Sequence, residues 1–379
     1  MSLVLSEEQA LLKETAAEFV QQKSPVPHLR ELRDSKDSVG FSRAIWKEMA
    51  ELGWAGILLP EAHGGSELGL AELGVVLEEC GRTLAPYPFL STVVFGGSAV
   101  LLGGSDAHKQ AILPGVASGD TLLALAVQEK PRFSPYDVAT EAKASGDGYE
   151  LTGEKQLVLD GHVADHLIVV ARTSGQPGDR DGLTLFLVDP AATGVTVTRT
   201  FLVDSRNAAR VRLENVVVSG QEVLGGVDRG ADLLDALIER GTVALSAELL
   251  GLIHEVFDRT IAYLKTREQF GVPIGSFQAL KHRAADMFCE VELSQSIVLE
   301  ALRAVDEARP HRERIVHAAK ARTSDTAGLV TREGLQMHGG IGMTDEEEIG
   351  LFLKRAKAAE LTLGDGAYHR DRFARATGF

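Results

Sequence analysis

Apolar residues recur with helical spacing in the first third of the chain. Over residues 1–120 they return every three or four positions, as in helices that bury one face. Ser6 and Gln9 have the spacing of a capping box at the start of the first helix. Two further amphipathic segments, 41–52 and 68–80, are each followed by a glycine, Gly53 and Gly81, and glycine commonly ends a helix. This part of the chain is therefore predicted to be helical.

The pattern changes between residues 121 and 218. Short segments rich in β-branched residues follow one another with turn residues between them, and residues 195–200 alternate between apolar and polar. The predicted strands cover 121–129, 149–159, 166–173, 183–189, 195–202 and 210–218. The glycine-rich segment 225–230 is predicted to be a linker.

Helical spacing returns at about residue 231 and continues to the end of the sequence. Thr344 and Glu347 have the spacing of a capping box for the last long helix. The predicted fold class is therefore α+β. It divides into a helical domain at 1–120, a β domain at 121–226 and a second helical domain at 227–379.

Composition excludes some classes of function. With 39 basic and 54 acidic residues the net charge is −15, which argues against a nucleic-acid-binding surface. Cys80 and Cys289 lie far apart, so we predict a reduced, cytoplasmic chain in which both cysteines are small buried residues. No metal-ligand cluster is apparent in the sequence, and no metal is predicted.

One uncharged stretch is long enough to cross a membrane. It lies between Arg82 and Asp106, but Pro86, Pro88 and several glycines interrupt it. We predict a loop followed by a buried helix, and no membrane association.

The most specific chemical pattern lies at residues 263–278. A helix is predicted to end near residue 264, the chain turns at Gly271, and a second helix starts near residue 277. This corner brings together Arg267, Phe270 and Gln278. Arginine binds phosphate with a planar fork of donors, phenylalanine offers a face to a flat base, and glutamine can hydrogen-bond the edge of that base. For Arg267 by itself, the alternative is a solvated charge that complements the helix dipole.

A second pattern is the segment Gln336-Met-His-Gly-Gly-Ile-Gly342. Gly339 and Gly340 would let the backbone approach a phosphate closely, although a glycine pair can also simply end a helix. Together with residues 263–278, this segment resembles the C-terminal signature of the acyl-CoA dehydrogenase family. The resemblance extends from residues 5–9 through Leu59-Pro-Glu-Ala-His-Gly-Gly65 to the last helix.

The resemblance implies an acyl-CoA dehydrogenase-like fold: an N-terminal helical domain, a central β-barrel domain and a C-terminal four-helix bundle that forms the oligomer core. It also implies FAD bound between subunits and α,β-desaturation of an acyl-CoA thioester. Arg267, Phe270 and Gln278 match the residues that touch the pyrophosphate and adenine end of a neighbour's FAD. Gln336, Gly339 and Gly340 match a second patch on the same cofactor half.

The sequence departs from the family where the flavin ring is held. Members usually carry a Thr-Glu-Pro-x-x-Gly-Ser-Asp-like loop after the first strand, and this chain has residues 128–135 there. Only Glu129 and Ser134 correspond, and Ser134 is also a candidate for substrate binding. The next strand normally presents a tryptophan and a hydroxyl residue, whereas this chain has Leu157 and Leu159.

The sequence also departs from the family pattern at the catalytic carboxylate. The usual glutamate precedes a glycine at the end of the last long helix, and here Leu363 occupies that position. Asp365 and Glu239 are the alternative carboxylates, with Arg240 beside Glu239 as a second candidate substrate-binding residue. Some bacterial members, including enzymes for steroid side chains, resemble α2β2 assemblies in which only one subunit supplies the flavin cradle and the base. This chain resembles the other subunit.

Three hypotheses follow. The chain is the FAD-sharing, base-lacking subunit of an α2β2 acyl-CoA dehydrogenase, or a self-sufficient homotetramer with an atypical base, or a non-catalytic scaffold of the same fold. The expected partners are an acyl-CoA substrate, an unlike subunit and an electron acceptor such as electron-transfer flavoprotein.

Overall fold

The computed structural model describes residues 4–379 of the chain. The helices before the sheet are α1 (Glu7–Lys23), α2 (Val26–Asp34), α3 (Arg43–Glu51), α4 (Leu70–Thr83), α5 (Ser98–Gly103) and α6 (Asp106–Ala117). Those after it are α7 (Gly230–Thr266), α8 (Gln278–Asp306), α9 (Arg312–His338), α10 (Ile349–Leu361) and α11 (Gly366–Thr377). The predicted order of helices, strands and helices is confirmed.

The chain divides into two compact units. One comprises Leu32–Gly69 and Tyr87–Gly241, and the other comprises Leu70–Pro86, Thr242–Phe379 and the described part of Met1–Glu31. The first of these contains the sheet, and the second contains most of the long C-terminal helices. The proposed division into three domains stays a prediction.

In the described part of the chain, the main sheet is mixed and has eight strands. They are β1 (Leu123–Ala126), β2 (Glu141–Ser145), β3 (Gly148–Leu159), β4 (His166–Arg172), β5 (Leu183–Val188), β6 (Val195–Phe201), β7 (Asn207–Ser219) and β8 (Val223–Leu224). Their order is β6-β7-β3-β2-β4-β5-β8, with β1 parallel to β4. Closure of this sheet into a barrel stays a prediction, as does the four-helix bundle.

The strand predictions missed β2 and β8. β2 has the sequence Glu-Ala-Lys-Ala-Ser, which contains no β-branched or aromatic residue and therefore gives no strand signal. Only Ala142 of this strand is buried. Both strands form because they pair with neighbours, β2 with β3 and β8 with β5.

Gly81 does not end a helix as predicted, because α4 continues to Thr83. A Cβ atom on Gly81 would lie 2.1 Å from the carbonyl oxygen of Glu248 on α7. A Cβ atom on Gly251 of α7 would lie 1.7 Å from the carbonyl oxygen of Glu78 on α4. The two glycines therefore permit close backbone contact between α4 and α7, a role that helix-end statistics cannot distinguish from capping.

The capping predictions have mixed outcomes. The Ser6–Gln9 box is confirmed, with the Ser6 hydroxyl accepting from the Gln9 backbone N–H at 3.1 Å. The Thr344–Glu347 box is wrong, since α10 begins only at Ile349 and Thr344 follows a 3-10 turn at Gly339–Met343.

The uncharged stretch behaves as predicted. After the loop at residues 84–88 it forms a π-helix, Phe89–Gly97, and then α5, and most of its residues are buried. Within residues 4–379, no helix is both long enough and apolar enough to cross a bilayer. Within residues 4–379 neither cysteine forms a disulfide; Cys80 is buried as predicted, but Cys289 is exposed, so its predicted burial is wrong. On the long helix α8 it occupies a position on the outward face.

Candidate functional site

A tight hairpin follows α7 and carries the first predicted cofactor motif. β9 (Glu268–Gln269) pairs with β10 (Val272–Pro273), and the two turn residues, Phe270 and Gly271, have φ angles of 56° and 77°. Such two-residue turns with positive φ at both positions are typical of β-hairpins, although phenylalanine is rare there. The strained turn holds the Phe270 side chain 92% exposed. An exposed ring on a fixed turn is suited to contact with another molecule.

Three polar side chains of the two motifs are exposed and unpartnered. Within residues 4–379, the side chains of Arg267, Gln278 and Gln336 have no hydrogen-bond or ion-pair partner. Gly339 has a φ of 66°, and a Cβ atom built on Gly339 or Gly340 would meet nothing within 4 Å. The backbone beside Gln336 is therefore open to close approach.

The two motifs lie side by side in the same unit. The ring of Tyr263, one helical turn before Arg267, stacks on His338, with ring centroids 4.4 Å apart. His338 is buried and donates from Nδ1 to the carbonyl oxygen of Gly334 at 2.7 Å. A Cβ atom on Gly334 would lie 2.9 Å from Oγ1 of Thr260, so α7 and α9 approach closely here.

These features fit the diphosphate and adenine half of FAD. A guanidinium without an internal partner can pair with phosphate oxygens, an open glycine segment admits a phosphate, and an exposed ring can contact a flat base. We name this set the 267/336 patch: Arg267, Phe270, Gln278, Gln336, Gly339 and Gly340. Its assignment to the cofactor stays a prediction.

Glu129, in the loop after β1, is hydrogen-bonded to other parts of the protein. Oε1 of Glu129 accepts from Nζ of Lys155 at 2.6 Å and from the hydroxyl of Thr140 at 2.6 Å, and its carboxylate also accepts the backbone N–H groups of Ala139 and Thr140. Lys155 is completely buried, and burial lowers its pKa to about 8. The paired Lys155 and the hydrogen bonds to Thr140 and Ala139 lower the pKa of Glu129, against the effect of burial. Glu129, one of the two loop residues predicted to match the family, is thus engaged in holding the protein's own fold.

A second anchor of this loop is Arg172, which is buried. Its guanidinium donates to the carbonyl oxygens of Val138 at 3.1 Å and Tyr136 at 3.0 Å, and to three carbonyls of the 173–182 loop. The Tyr136 hydroxyl donates to Asp235 at 2.5 Å. Ser134 is exposed, and no partner of its hydroxyl is found among residues 4–379. The loop is therefore fixed mainly by contacts within the protein.

Leu157 lies in a β-bulge. The pairing of β3 with β7 shifts between Lys155 and Val158, and Leu157 has a φ of 53° with 41% of its surface exposed. A leucine in the left-handed region costs roughly 1–2 kcal/mol. Its exposed side chain offers no hydrogen bond, and the neighbouring Leu159 offers none either.

The turn after α10 contains Leu363, the residue predicted to occupy the position of the family's glutamate. Leu363 is buried, 6% exposed, with a φ of 62°. The Asp365 carboxylate accepts from the backbone N–H of Tyr368 at 2.8 Å and caps α11. Glu239 and Arg240 are half-buried on α7. Asp365 therefore has a structural role that the sequence analysis did not identify.

The sequence predicted no role for Lys155 or Arg172, and it did not predict that Tyr263 contacts His338. Lys155 is a charged residue at an inward position of a strand, and a charge at such a position is a sequence signal for a buried ion pair. Arg172 gives no such signal, because its partners are backbone carbonyls. Tyr263 and His338 lie within the two predicted motifs, but their contact was not predicted, because they are far apart in sequence.

Comparison with known proteins gives a consistent result. Three domain families match: the acyl-CoA dehydrogenase N-terminal domain at residues 6–120, the middle domain at 127–216 and the C-terminal domain at 228–378. The chain is also 31% identical to mitochondrial isovaleryl-CoA dehydrogenase from Pongo abelii, with 97% of this chain and 88% of that protein covered.

The chain belongs to the acyl-CoA dehydrogenase family. It is thus related to FAD-dependent oxidoreductases that act on CH–CH bonds, as the sequence predicted.

Two solved structures are similar to this family member over nearly its whole length. The ChsE4–ChsE5 complex from Mycobacterium tuberculosis contains a chain that is 29% identical with a TM-score of 0.89, covering 100% of this chain and 99% of that one. A Tcur3481–Tcur3483 steroid ACAD variant contains a chain that is 30% identical with a TM-score of 0.86, covering 98% of each chain.

Proposed function

We propose that this chain is the FAD-sharing, base-lacking subunit of a cytoplasmic α2β2 acyl-CoA dehydrogenase. The observation that carries the proposal is at position 363. The residue predicted to occupy the family's glutamate position, Leu363, is buried, and leucine cannot accept a proton. The nearest acid in the sequence, Asp365, is engaged as the cap of α11. A general base must be within hydrogen-bond reach of the proton that it removes, and the engagement of Asp365 with the first turn of α11 gives it a structural role in place of that one.

The 267/336 patch supports the second half of the proposal. A subunit that only held the assembly together would have no use for an exposed, unpartnered guanidinium beside an open glycine segment. We therefore assign Arg267 to the diphosphate of an FAD whose flavin ring is held by the unlike subunit. Gln278, Phe270 and the Gln336–Gly340 segment would contact the adenine half of the same cofactor.

The loop after β1 supports the loss of this chain's own flavin cradle. Glu129 is paired with Lys155, and the bulge exposes Leu157 where the family presents a tryptophan. A polar ring edge against Leu157 and Leu159 would leave hydrogen bonds unmade, which is costly in a buried site.

The predicted chemistry is desaturation of an acyl-CoA thioester, in which a carboxylate removes a proton from Cα while hydride leaves Cβ. FAD, when bound, supplies the acceptor for that hydride. Arg267 of this chain would neutralise the charge of the FAD diphosphate, and Gly339 and Gly340 would let the backbone approach a phosphate closely. Leu363 takes no proton, so the base would be a carboxylate of the unlike subunit. Electron-transfer flavoprotein or a similar acceptor would reoxidise the complex.

The similarity to chains of the ChsE4–ChsE5 complex and of the Tcur3481–Tcur3483 structure also supports a two-protein assembly. An acyl-CoA with a bulky acyl group is the substrate class that the second of these comparisons suggests.

Flavin stoichiometry and native mass test the proposal together. The chain would be expressed alone and with its presumed unlike subunit, and flavin absorbance would be measured against protein concentration. We expect little or no flavin on the chain alone, and two FAD per α2β2 complex after co-expression. A homotetramer of this chain that carries four FAD and reduces them with an acyl-CoA would overturn the proposal in favour of an atypical base.

A further inference from the structure

A lysine lies completely inside the C-terminal unit, next to the turn after α10. Lys320 of α9 has 0% of its surface exposed. Its Nζ atom donates to the carbonyl oxygens of Ala359 at 3.1 Å, Glu360 at 3.0 Å and Gly364 at 3.1 Å. The Ser324 hydroxyl, one helical turn along α9, lies 3.2 Å from the same nitrogen. An ammonium group has three N–H donors, and three main-chain carbonyls surround this one.

These carbonyls need an external donor. The last four carbonyl groups of a helix have no partner within the helix, and α10 ends at Leu361. Many helices solve this with a glycine cap that returns backbone N–H groups to the last turn. Here α9 provides a side-chain cap instead, and the cap also reaches Gly364 beyond the helix.

The same turn is held from a second side. The buried His369 of α11 donates from Nε2 to the carbonyl oxygen of Leu363 at 3.1 Å. Since a carbonyl only accepts, Nδ1 of neutral His369 is an acceptor, and it receives the N–H of His317 Nδ1 at 3.0 Å. Leu363 and Gly364 both have positive φ, 62° and 101°. The left-handed conformation is unfavourable for leucine, so the turn at Leu363 needs contacts from outside it to persist.

We propose that Lys320 is a positioning residue: by donating its ammonium hydrogens to three main-chain carbonyls, it fixes the turn that carries position 363 and hence the start of α11. The proposal goes beyond the proposed function, because it concerns contacts within one unit of one chain. Lys320 would hold the turn in the same way whether the chain acts in an α2β2 complex or in a homotetramer.

Hydrogen exchange of single amides tests this role in the purified assembly. Lys320→Met keeps most of the side-chain volume and removes all three donors, and Lys357→Met is the matched control. Lys357 is an exposed lysine of α10 whose ammonium pairs, among residues 4–379, with Glu360 alone, 2.9 Å away. We expect exchange of the Thr362 and Gly364 amides to rise about tenfold or more in Lys320→Met, which corresponds to about 1.4 kcal/mol of local opening. The control should leave both amides unchanged, and an unchanged rate in Lys320→Met would overturn the proposal.

A rescue experiment separates capping from packing. Lys320→Ala leaves the carbonyls of Ala359, Glu360 and Gly364 without the ammonium donor. n-Propylammonium and n-propanol have similar size, but only the first carries a positive charge and three N–H donors. We expect n-propylammonium to restore slow exchange at Thr362 and Gly364, and n-propanol to have no such effect. If Lys320→Ala does not fold alone, the yield of refolding with each compound gives the same comparison. Equal results with the two compounds would show that Lys320 acts through its volume and would overturn the proposal. Neither outcome alters the flavin count that tests the proposed function.

Discussion

The ring of Tyr263 stacks on the imidazole of His338, with centroids 4.4 Å apart and ring planes inclined by 25°. This contact joins the end of α7 to the end of α9. Arg267 lies four residues after Tyr263, and Gln336 lies two residues before His338. The stack therefore sets the spacing between the two halves of the 267/336 patch.

Removing the Tyr263 ring should loosen that patch. Aromatic pairs contribute about 0.5–1.5 kcal/mol beyond their buried area. Loss of that free energy corresponds to roughly 2- to 10-fold in affinity, so we expect Tyr263→Leu to weaken FAD binding by about this factor. Tyr263→Phe keeps the stack and should bind FAD normally. Flavin release on dilution measures both variants, and equal retention in Tyr263→Leu and the wild-type protein would contradict the assigned role.

Arg267 should affect cofactor retention and not the chemical step. Hydrogen bonds to charged groups contribute about 1.5–3 kcal/mol, so Arg267→Ala should weaken FAD binding roughly 10- to 150-fold. Turnover per bound flavin should stay near normal. Lys265→Ala, which removes an exposed charge two residues earlier, is the control for a general loss of positive potential. Similar losses in the two variants would argue for long-range attraction in place of a direct contact with phosphate.

Asp365 should behave as a helix cap and Leu363 as a packing residue. Asparagine caps helices as well as aspartate does, so Asp365→Asn should keep both stability and turnover, whereas Asp365→Ala should lose about 1 kcal/mol of stability.

Leu363→Ala should cost roughly 2–5 kcal/mol of stability, as truncation of other buried leucines does, without lowering the turnover of the folded complex. Glu239→Gln should also leave turnover unchanged. Denaturant unfolding and turnover per flavin are the measurements. A collapse of turnover in Asp365→Asn or Glu239→Gln, with flavin still bound, would place the base in this chain.

The Glu129–Lys155 pair should be important for the stability of the sheet-containing unit. Glu129→Gln would leave the buried Lys155 without its charged partner, and breaking a buried pair from one side costs about 3–5 kcal/mol. Glu141→Gln, which removes an exposed pair with Lys143, should change stability by less than about 1 kcal/mol. Urea unfolding compares the two variants. If they proved equally stable, the loop after β1 would not be anchored as described.

The two facing histidines should make the C-terminal unit sensitive to acid. Burial, with the nearby charge of Lys320, lowers the pKa of His369 to about 3, and burial, with the charge of Arg372, lowers the pKa of His317 to about 4. Unfolded histidine has a pKa near 6.5, so the unfolded chain binds protons first as the pH falls. The stability from the neutral pair is thus complete above about pH 6.5 and is lost as the pH falls towards 4 and 3. His369→Gln should flatten the stability profile in this window, and the exposed His282→Gln should not. Unfolding free energy measured from pH 7 to pH 4 checks the slope, and parallel profiles for wild-type and His369→Gln would refute the assignment.

The sequence by itself determined the order of helices, strands and helices, the family, and the cofactor class. These depend on local periodicity and on motifs whose residues are close in sequence, such as residues 263–278. It also predicts a departure from the family pattern at Leu363, because the family's glutamate directly precedes a glycine and Leu363 directly precedes Gly364.

Only the tertiary structure decided what several single residues do. Gly81 has the spacing of a helix cap but lies where α4 meets the backbone of α7, and Asp365 resembles a spare carboxylate but caps α11. Lys155 and Lys320 are charged residues whose burial is possible only because partners far along the chain surround them. A sequence pattern records which side chains are apolar and how they are spaced. It does not record which distant backbone atoms they will meet, and those contacts decide whether a glycine, an acid or a lysine has a structural or a chemical role.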